Sequence, residues 1–404
     1  MPPRPEALRA AIAGSAASLL GQHARVNLCD MGRVIAADLT GANVLLRTSD
    51  QLYAALALIE LDGVAARIVI APPDVKPEHI ASVIERAAIT VVVSDDPVLA
   101  VGGVDFVRVN LPVPGEAIAA TQKTEWVLFT SGTTGVPKMV AHTLEGLTGA
   151  IQPATDAHVV WGTFYDIRRY GGLQILLRAL LGHASLILSD ASEEVADFLV
   201  RLGEGGVTHL TGTPSHWRRV LMSPANGAIA PRYVRLSGEI ADQAVLDSLK
   251  ARFPNAAIGH AYASTEAGVG FEVTDGLEGF PASFIGRPGP VEMKVADGTL
   301  HIRSARTASE YVGGLKINPE EVEAVINRHP GVRVSRVSGR RSPITGAIVI
   351  ADVVLSDVAN DNATFKQAIL DACREKLPAF KVPAMLRFVP ALELTAGGKL
   401  SRHA

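Results

Sequence analysis

The feature that most constrains this chain is a repeated alternation of short apolar runs with helix-length segments. The runs Ala66–Ile70, Ile89–Val93, Trp126–Phe129, Ser185–Leu188, Val207–Leu210, Val234–Leu236 and Ala256–Gly259 are rich in Val and Ile and bounded by Gly, Pro, Asp or Ser. Runs of this kind read as strands buried on both faces. Between them, Pro77–Arg86, Gly172–Leu181, Glu193–Leu202 and Gln243–Arg252 have the length of helices. Strand–helix alternation needs crossover connections. It therefore predicts an α/β fold with mainly parallel sheets flanked by helices.

The pattern changes near residue 300. Asn318-Pro319 begins a clear helix, with Asn318 as cap, Pro319 at the first helical position and Glu320, Glu321 and Glu323 near the positive end. Val322, Val325 and Ile326 form its apolar stripe, and Pro330-Gly331 stops it. Strands Val332–Val337 and Ala347–Val354, a helix Asn362–Lys376 and a strand near Met385–Val389 follow. The expectation is a small α+β unit over about the last 90 residues.

Composition excludes several classes. A hydrophobic fraction of 48% with 20% charged residues suits a globular protein with a large core. A net charge of -3 argues against a nucleic-acid partner. Two distant cysteines, Cys29 and Cys373, form neither a disulfide framework nor a metal cluster, and point to the cytoplasm. Arg4 and Arg9 precede an apolar run, Ala10–Leu20, that Gly14, Ser15 and Ser18 interrupt. It reads as an Ala-rich surface helix rather than a signal peptide. No stretch reaches the roughly 18 apolar residues of a membrane span.

One motif carries chemistry. Trp126–Phe129 runs straight into Thr130-Ser131-Gly132-Thr133-Thr134-Gly135-Val136-Pro137-Lys138. Gly132 and Gly135 let the backbone approach a ligand closely. The hydroxyls of Thr130, Ser131, Thr133 and Thr134 add donors beside backbone N–H groups, which makes a nest for phosphate oxygens. Lys138 adds a point charge. The segment is not a P-loop, because Gly-x-x-x-x-Gly-Lys-Ser/Thr is absent. Nor is it a nucleophile elbow, because Ser131 lacks a Gly two residues earlier.

Thr130–Lys138 resembles the signature loop of the adenylate-forming superfamily, which includes acyl- and aryl-CoA synthetases, adenylation domains of peptide synthetases and beetle luciferases. Further resemblances occur in that family's order. Ser237-Gly238-Glu239 is similar to the backbone segment beside adenine and the acyl pocket. Ala261-Tyr262-Ala263-Ser264-Thr265-Glu266 resembles Tyr-Gly-x-Thr-Glu, with Ala263 in place of the usual Gly. Ile285-Gly286-Arg287-Pro288 is similar to a Gly-Arg-Pro turn. Gly313–Glu323 resembles the start of a mobile C-terminal domain, and Gly397-Gly398-Lys399-Leu400-Ser401-Arg402 resembles a terminal Gly-Lys-Ile-x-Arg.

The resemblance implies a large N-terminal ATP- and acyl-binding domain (1–303), a truncated hinge region (304–312) and a small mobile C-terminal domain (313–404). It implies activation of a small carboxylic acid with ATP and Mg²⁺, followed by transfer to coenzyme A. The loop holds the β- and γ-phosphates, Tyr262 lies by adenine, Thr265 contacts the α-phosphate and Glu266 ligands Mg²⁺. Lys399 stabilises the developing charge in the first half-reaction. Gly313, Gly314, Leu315 and Lys316 face the thiol in the second. Tyr165, Arg169, Tyr170 and Gly172, with Ala261, Ala263 and Gly268, fall where the family builds its acid pocket. Arg169 stands about where many relatives carry His. Asp166 invites an amino-acid substrate, but its spacing to Gly182 is too long for that motif. An aromatic or medium-chain acid is expected.

Other acceptors and fates stay open at this level: a separate carrier protein in place of CoA, a homodimer, or a non-catalytic nucleotide- or acyl-binding relative. The last draws support from one departure. Between His301-Ile302-Arg303 and Tyr311-Val312-Gly313 the family has a few tens of residues, including a Thr-Gly-Asp that holds the ribose and a Gly-Arg-x-Asp hinge. Here only Ser304–Glu310 bridges the two, and no Thr-Gly-Asp occurs anywhere. The close match on both flanks favours a segment missing from the sequence over a genuine deletion.

Overall fold

The computed structural model describes residues 7–130, 138–149, 151, 158–265, 268–287, 291–296, 299–304, 307–311, 319–342, 346–357, 362–377 and 381–392. The chain starts with a single turn, α1 (Leu8–Ala11), and the short strands β1 (Ser18–Leu20), β2 (Arg25–Asn27) and β3 (Arg33–Ile35). The alternation then begins with β4 (Asn43–Leu46), α2 (Gln51–Leu61), β5 (Arg67–Ile70), α3 (Pro77–Ala87), β6 (Val91–Ser94), β7 (Asp105–Val113), β8 (Glu125–Thr130) and β9 (Lys138–Thr143). It continues through α4 (Leu144–Thr148), β10 (Val160–Thr163), α5 (Tyr170–Leu181), β11 (Ser185–Leu188), α6 (Val195–Glu204) and β12 (His209–Gly212). Next come α7 (Pro214–Met222), β13 (Tyr233–Ser237), α8 (Gln243–Arg252), β14 (Ala257–Ser264) and β15 (Gly268–Val273).

These strands build two sheets. The seven-stranded sheet has the order β3-β7-β6-β4-β5-β8-β9, and the eight-stranded sheet β15-β14-β13-β12-β10-β11-β1-β2. The interior pairs are parallel, as the apolar runs predict, while β8–β9, β14–β15, β1–β2 and β3–β7 are antiparallel. Helix ends follow from local chemistry. Pro77 opens α3, and the Asp242 carboxylate accepts from Val245 N (3.0 Å) to cap α8.

Between the sheets lies α2, in which every residue but Tyr53 is buried. Its residues share one apolar core with α1, α5 and the facing strands. Two acids that bound this layer are held from several sides. Glu60 accepts from Arg9 (2.8 Å) and Arg33 (2.6 Å), and Asp62 accepts from Leu8 N (2.8 Å) and Trp126 Nε1 (2.9 Å). The expected surface helix over Ala10–Leu20 is not formed. The run instead gives the last turn of α1 and the strand β1, with Ile12 and Leu19 in the core. Gly14 adopts φ +71°, which breaks the helix there.

A third sheet, β16 (Val291–Ala296), β17 (Thr299–Ser304) and β18 (Thr307–Tyr311), is antiparallel throughout. Ser304 pairs with Thr307, and residues 305 and 306 between them lie outside the described residues. The final unit comprises α9 (Pro319–Asn327), β19 (Val332–Ser342), β20 (Gly346–Leu355), α10 (Ala363–Lys376) and β21 (Met385–Phe388). Asn362 caps α10 by accepting from Phe365 N (2.9 Å). Val322 and Ile326 of α9 pack with Val337, Ala351, Val353, Ile369 and Leu386 in a core of their own. No helix among the described residues is long and apolar enough to cross a membrane.

Candidate active site

The strongest motif sits at the tip of a hairpin. Thr130, the last residue of β8, pairs with Lys138, the first of β9. Residues 131–137 connect them, so Ser131, Gly132, Thr133, Thr134 and Gly135 lie outside the described residues, as does the Lys138 side chain. Glu266, Gly313, Gly314, Leu315, Lys316 and Lys399 also lie outside them.

The carboxyl ends of β12, β13 and β14 supply the next parts, which is where parallel sheets place ligands. Gly238 follows β13 with φ +87°, a conformation that glycine adopts freely. This turn carries Glu239 back to the start of α7, where its carboxylate accepts from Ser215 N (2.9 Å). Gly238, Glu239, His260, Tyr262, Phe271 and Phe280 line a cleft of about 520 Å³, within the usual range for small-molecule sites. The Tyr262 and Phe271 rings stack at 5.8 Å, and Met293 and Phe284 pack against them. The register between β14 and β15 shifts at Tyr262–Ala263, and Ser264 pairs with Gly268. Thr265 follows Ser264, and Glu266 lies outside the described residues.

The acid-pocket candidates are brought together on the face of this sheet that α5 covers. The Tyr165 hydroxyl lies 2.6 Å from Gly212 O and 2.9 Å from Ser237 O, so it ties the ends of β12 and β13. Burial holds its phenol proton far above the ordinary range. Gly268 has φ +78°, and a Cβ there would stand 3.3 Å from the Tyr170 hydroxyl. Tyr170 in turn lies 6.1 Å from the His142 ring on β9. Tyr170 of α5 thus stands between β9 and the start of β15. Ala261 is buried and Ala263 half-buried beside them.

Two expected pocket residues, Gly172 and Arg169, and the discounted Asp166 have other contacts. Gly172 is buried where a Cβ would meet Asp166 O at 2.2 Å, so close packing requires glycine there. Arg169 immediately precedes α5, makes no side-chain capping bond there, and reaches Asp74 with its guanidinium. Asp166 accepts from Arg168 at 2.8 and 2.9 Å, which leaves its carboxylate bound within the protein rather than directed at an amine.

One group was not singled out from sequence. Arg235 of β13 is only 7% exposed, and its Nε and Nη2 have no hydrogen-bond partner among the described residues. Leaving such a buried donor unsatisfied costs about 1–3 kcal/mol, and more for a charged group. Glu272 Oε2 is 3.4 Å from Nη2, and Tyr233 donates its hydroxyl proton to Glu272. Arg178 of α5 lies over Trp161, 5.9 Å from the ring centre. Burial lowers its affinity for its proton, and the nearby Arg235 charge adds to that. The available signal was an arginine inside the apolar run Val234–Leu236, on a strand buried on both faces.

At the start of α7, Thr213 and His216 form a reciprocal cap. His216 N donates to Thr213 Oγ1 and Thr213 N donates to His216 Nδ1, both at 3.1 Å. Burial lowers the imidazole from 6.5 to about 3, with a smaller push from Arg219. A depressed folded value means that the neutral ring stabilises the fold above pH 6.5, and that this stability is lost as pH falls towards 3. His216→Gln keeps an acceptor at the cap. It is expected to remove roughly 3 kcal/mol of the stability lost between near-neutral pH and about pH 4. Denaturant unfolding at the two pH values checks this, and equal acid sensitivity of both proteins would contradict it.

Comparison with known proteins points the same way. A family model described as AMP-binding enzyme matches residues 44–311, and one described as AMP-binding enzyme C-terminal domain matches residues 321–399. The chain is 25% identical to a 2-succinylbenzoate–CoA ligase of Listeria innocua, over 70% of this chain and 69% of that one. A benzoate CoA ligase from Burkholderia xenovorans superposes with a TM-score of 0.80 at 18% identity, covering 98% of each chain. An O-succinylbenzoate coenzyme A synthetase from Bacillus subtilis, in complex with ATP and a magnesium ion, superposes with a TM-score of 0.69 at 18% identity. That match covers 99% of this chain and 98% of the other.

Proposed function

Since the chain belongs to the AMP-binding enzymes, we propose that it activates a carboxylic acid with ATP as its acyl-AMP and passes the acyl group to coenzyme A. The observation that supports the proposal is the match of the AMP-binding family model over residues 44–311, together with the cleft lined by Gly238, Tyr262 and Phe271 at the carboxyl ends of β13 and β14. The similarity to CoA ligases supports CoA as acceptor.

In the first half-reaction, a carboxylate oxygen of the acid attacks the α-phosphorus of ATP. The bond to the bridging oxygen breaks, and pyrophosphate leaves with that electron pair. The protein positions the reactants and neutralises charge. The N–H groups and hydroxyls of the Thr130–Gly135 loop, with Lys138, hold the β- and γ-phosphates. The Tyr262–Phe271 stack, with Gly238 and Glu239, borders the adenine cleft, and Thr265 meets the α-phosphate. Lys399 balances charge at the reacting oxygens.

No group of three or more His, Cys, Asp or Glu side chains among the described residues is arranged to hold a metal ion. A Mg²⁺ that keeps waters and phosphate oxygens needs only one or two carboxylates, so Glu266 fits the role. The ion would offset charge on the phosphates. In the second half-reaction, the thiol sulfur attacks the acyl carbonyl carbon, the acyl–oxygen bond breaks, and AMP leaves. The loop Gly313–Lys316 faces the thiol in this step.

The acceptor is tested by incubating the protein with ATP, Mg²⁺ and an accepted acid, adding either CoA or a phosphopantetheinylated carrier protein. An acyl-CoA thioester detected by mass is the expected product. Loading of the carrier alone would move the acceptor to a separate protein. Release of acyl-AMP with neither thioester would refute the second half-reaction.

A further inference from the structure

We propose that Tyr165 is a positioning residue for the nucleotide: its hydroxyl fixes the Gly238–Glu239 turn that borders the cleft, and it does not bind the carboxylate of the acid. This rests on the reading that the cleft lined by Gly238, Glu239 and Tyr262 receives ATP.

Two parallel strands part at this point. β12 and β13 pair only as far as Gly212 and Leu236, while β13 runs one residue further and pairs Ser237 with Ala261 of β14. Beyond Gly212 the chain enters α7 through its cap, Thr213, and beyond Ser237 it turns at Gly238. The Tyr165 hydroxyl fills the fork, 2.6 Å from Gly212 O and 2.9 Å from Ser237 O. A hydroxyl has one proton to give, and two carbonyls already share it. An ionised carboxylate can only accept, so this group has nothing left to offer one. Burial keeps the phenol protonated, so the donor is present at every working pH.

The tyrosine is itself held in place. Its backbone N donates to Thr163 Oγ1 (3.0 Å), which also accepts from Thr211 Oγ1 (2.9 Å). Its ring meets the His216 imidazole edge to face, 6.3 Å between centres and 79° between planes. At the other end of the turn, the Glu239 carboxylate accepts from Ser215 N (2.9 Å). The turn is therefore pinned twice, at Ser237 by Tyr165 and at Glu239 by α7. Removing either pin frees a short segment that contains a glycine, and the wall of the cleft shifts with it.

The test uses the full-length protein with Tyr165→Phe, Glu239→Ala and the double variant, and benzoate and other aryl carboxylates as probe acids. Tyr165→Phe keeps the ring and removes only the hydroxyl. Two readouts are taken: ATP binding by calorimetry, which needs no acid, and the KM for ATP and for each acid from pyrophosphate release. Tyr165→Phe is expected to weaken ATP binding and raise the KM for ATP roughly 10-fold, with the KM for the acid within about two-fold of wild type. Both residues act on one turn, so the double variant should lose no more ATP affinity than the weaker-binding single variant. An unchanged KM for ATP, a loss shared equally by ATP and acid, or additive losses in the double variant would overturn the assignment. Tyr165-dependent ATP binding with no pyrophosphate release from any probe acid would uphold it while counting against acid activation. Acid-dependent pyrophosphate release that is indifferent to Tyr165 would do the reverse.

Discussion

Lys399→Ala is expected to lower acyl-AMP formation by about 10³-fold while leaving thioester formation from supplied acyl-AMP within a few-fold of wild type. The reason is the timing of charge. During attack on the α-phosphorus, negative charge gathers on the carboxylate and phosphate oxygens, and an ammonium held there lowers the barrier. Attack of a thiol on the finished acyl-AMP, on the reading proposed above, uses a different arrangement, with the C-terminal domain turned and the Gly313–Lys316 loop at the site, a hinge motion of a familiar kind. The two half-reactions are measured separately, by pyrophosphate release and by CoA consumption with synthetic acyl-AMP. Equal loss of both would mean that Lys399 serves the fold or nucleotide binding at large, and its assigned role would fall.

Gly172→Ala is expected to destabilise the protein by about 3 kcal/mol. The new Cβ would meet Asp166 O at 2.2 Å, Asp166 C at 2.4 Å and Ile167 N at 2.6 Å, all backbone atoms that cannot turn aside. That backbone is itself fixed. Arg168 bonds the Asp166 carboxylate and donates to Thr48 O (2.5 Å) and Ser49 O (3.0 Å), while Ile167 N donates to Gln51 Oε1 (2.7 Å). Relief therefore requires α5 to move away from the Asp166–Ile167 backbone. Tyr170 would move with it, so acid binding should weaken along with stability. Urea unfolding measures the loss, and a change within about 0.5 kcal/mol would show that the packing yields more easily than this geometry allows.

The sheet architecture was legible because parallel strands buried on both faces leave unbroken apolar runs. Ser185–Leu188 and Gln243–Arg252 form as read, while β12 begins two residues later than its run, because Val207 packs in the turn after α6. Helix α2 was not read, although it is the most buried helix. Apolar on almost every side, it shows no 3.6-residue period, and its Asp50 cap, which accepts from Leu52 N, was its only clear marker. The run Ala10–Leu20 misled because composition resembled a helix while burial and Gly14 made it turn and strand.

At the site, Gly238, Glu239 and Tyr262, read from local motifs, line one cleft, whereas Ser131–Gly135 and Glu266 lie outside the described residues. Arg235 and Glu272 escaped because their partnership spans two strand pairings and is visible only in register. Gly172 was assigned to a pocket because its neighbours were, whereas its own reason for being glycine is the backbone of Asp166.

The central claim is tested most directly by acid-dependent pyrophosphate release from ATP and Mg²⁺. The account predicts release that depends on at least one acid in a panel of mono- and dicarboxylates. No release for any acid, at saturating ATP, would contradict it and leave a protein that binds nucleotide or acid without joining them.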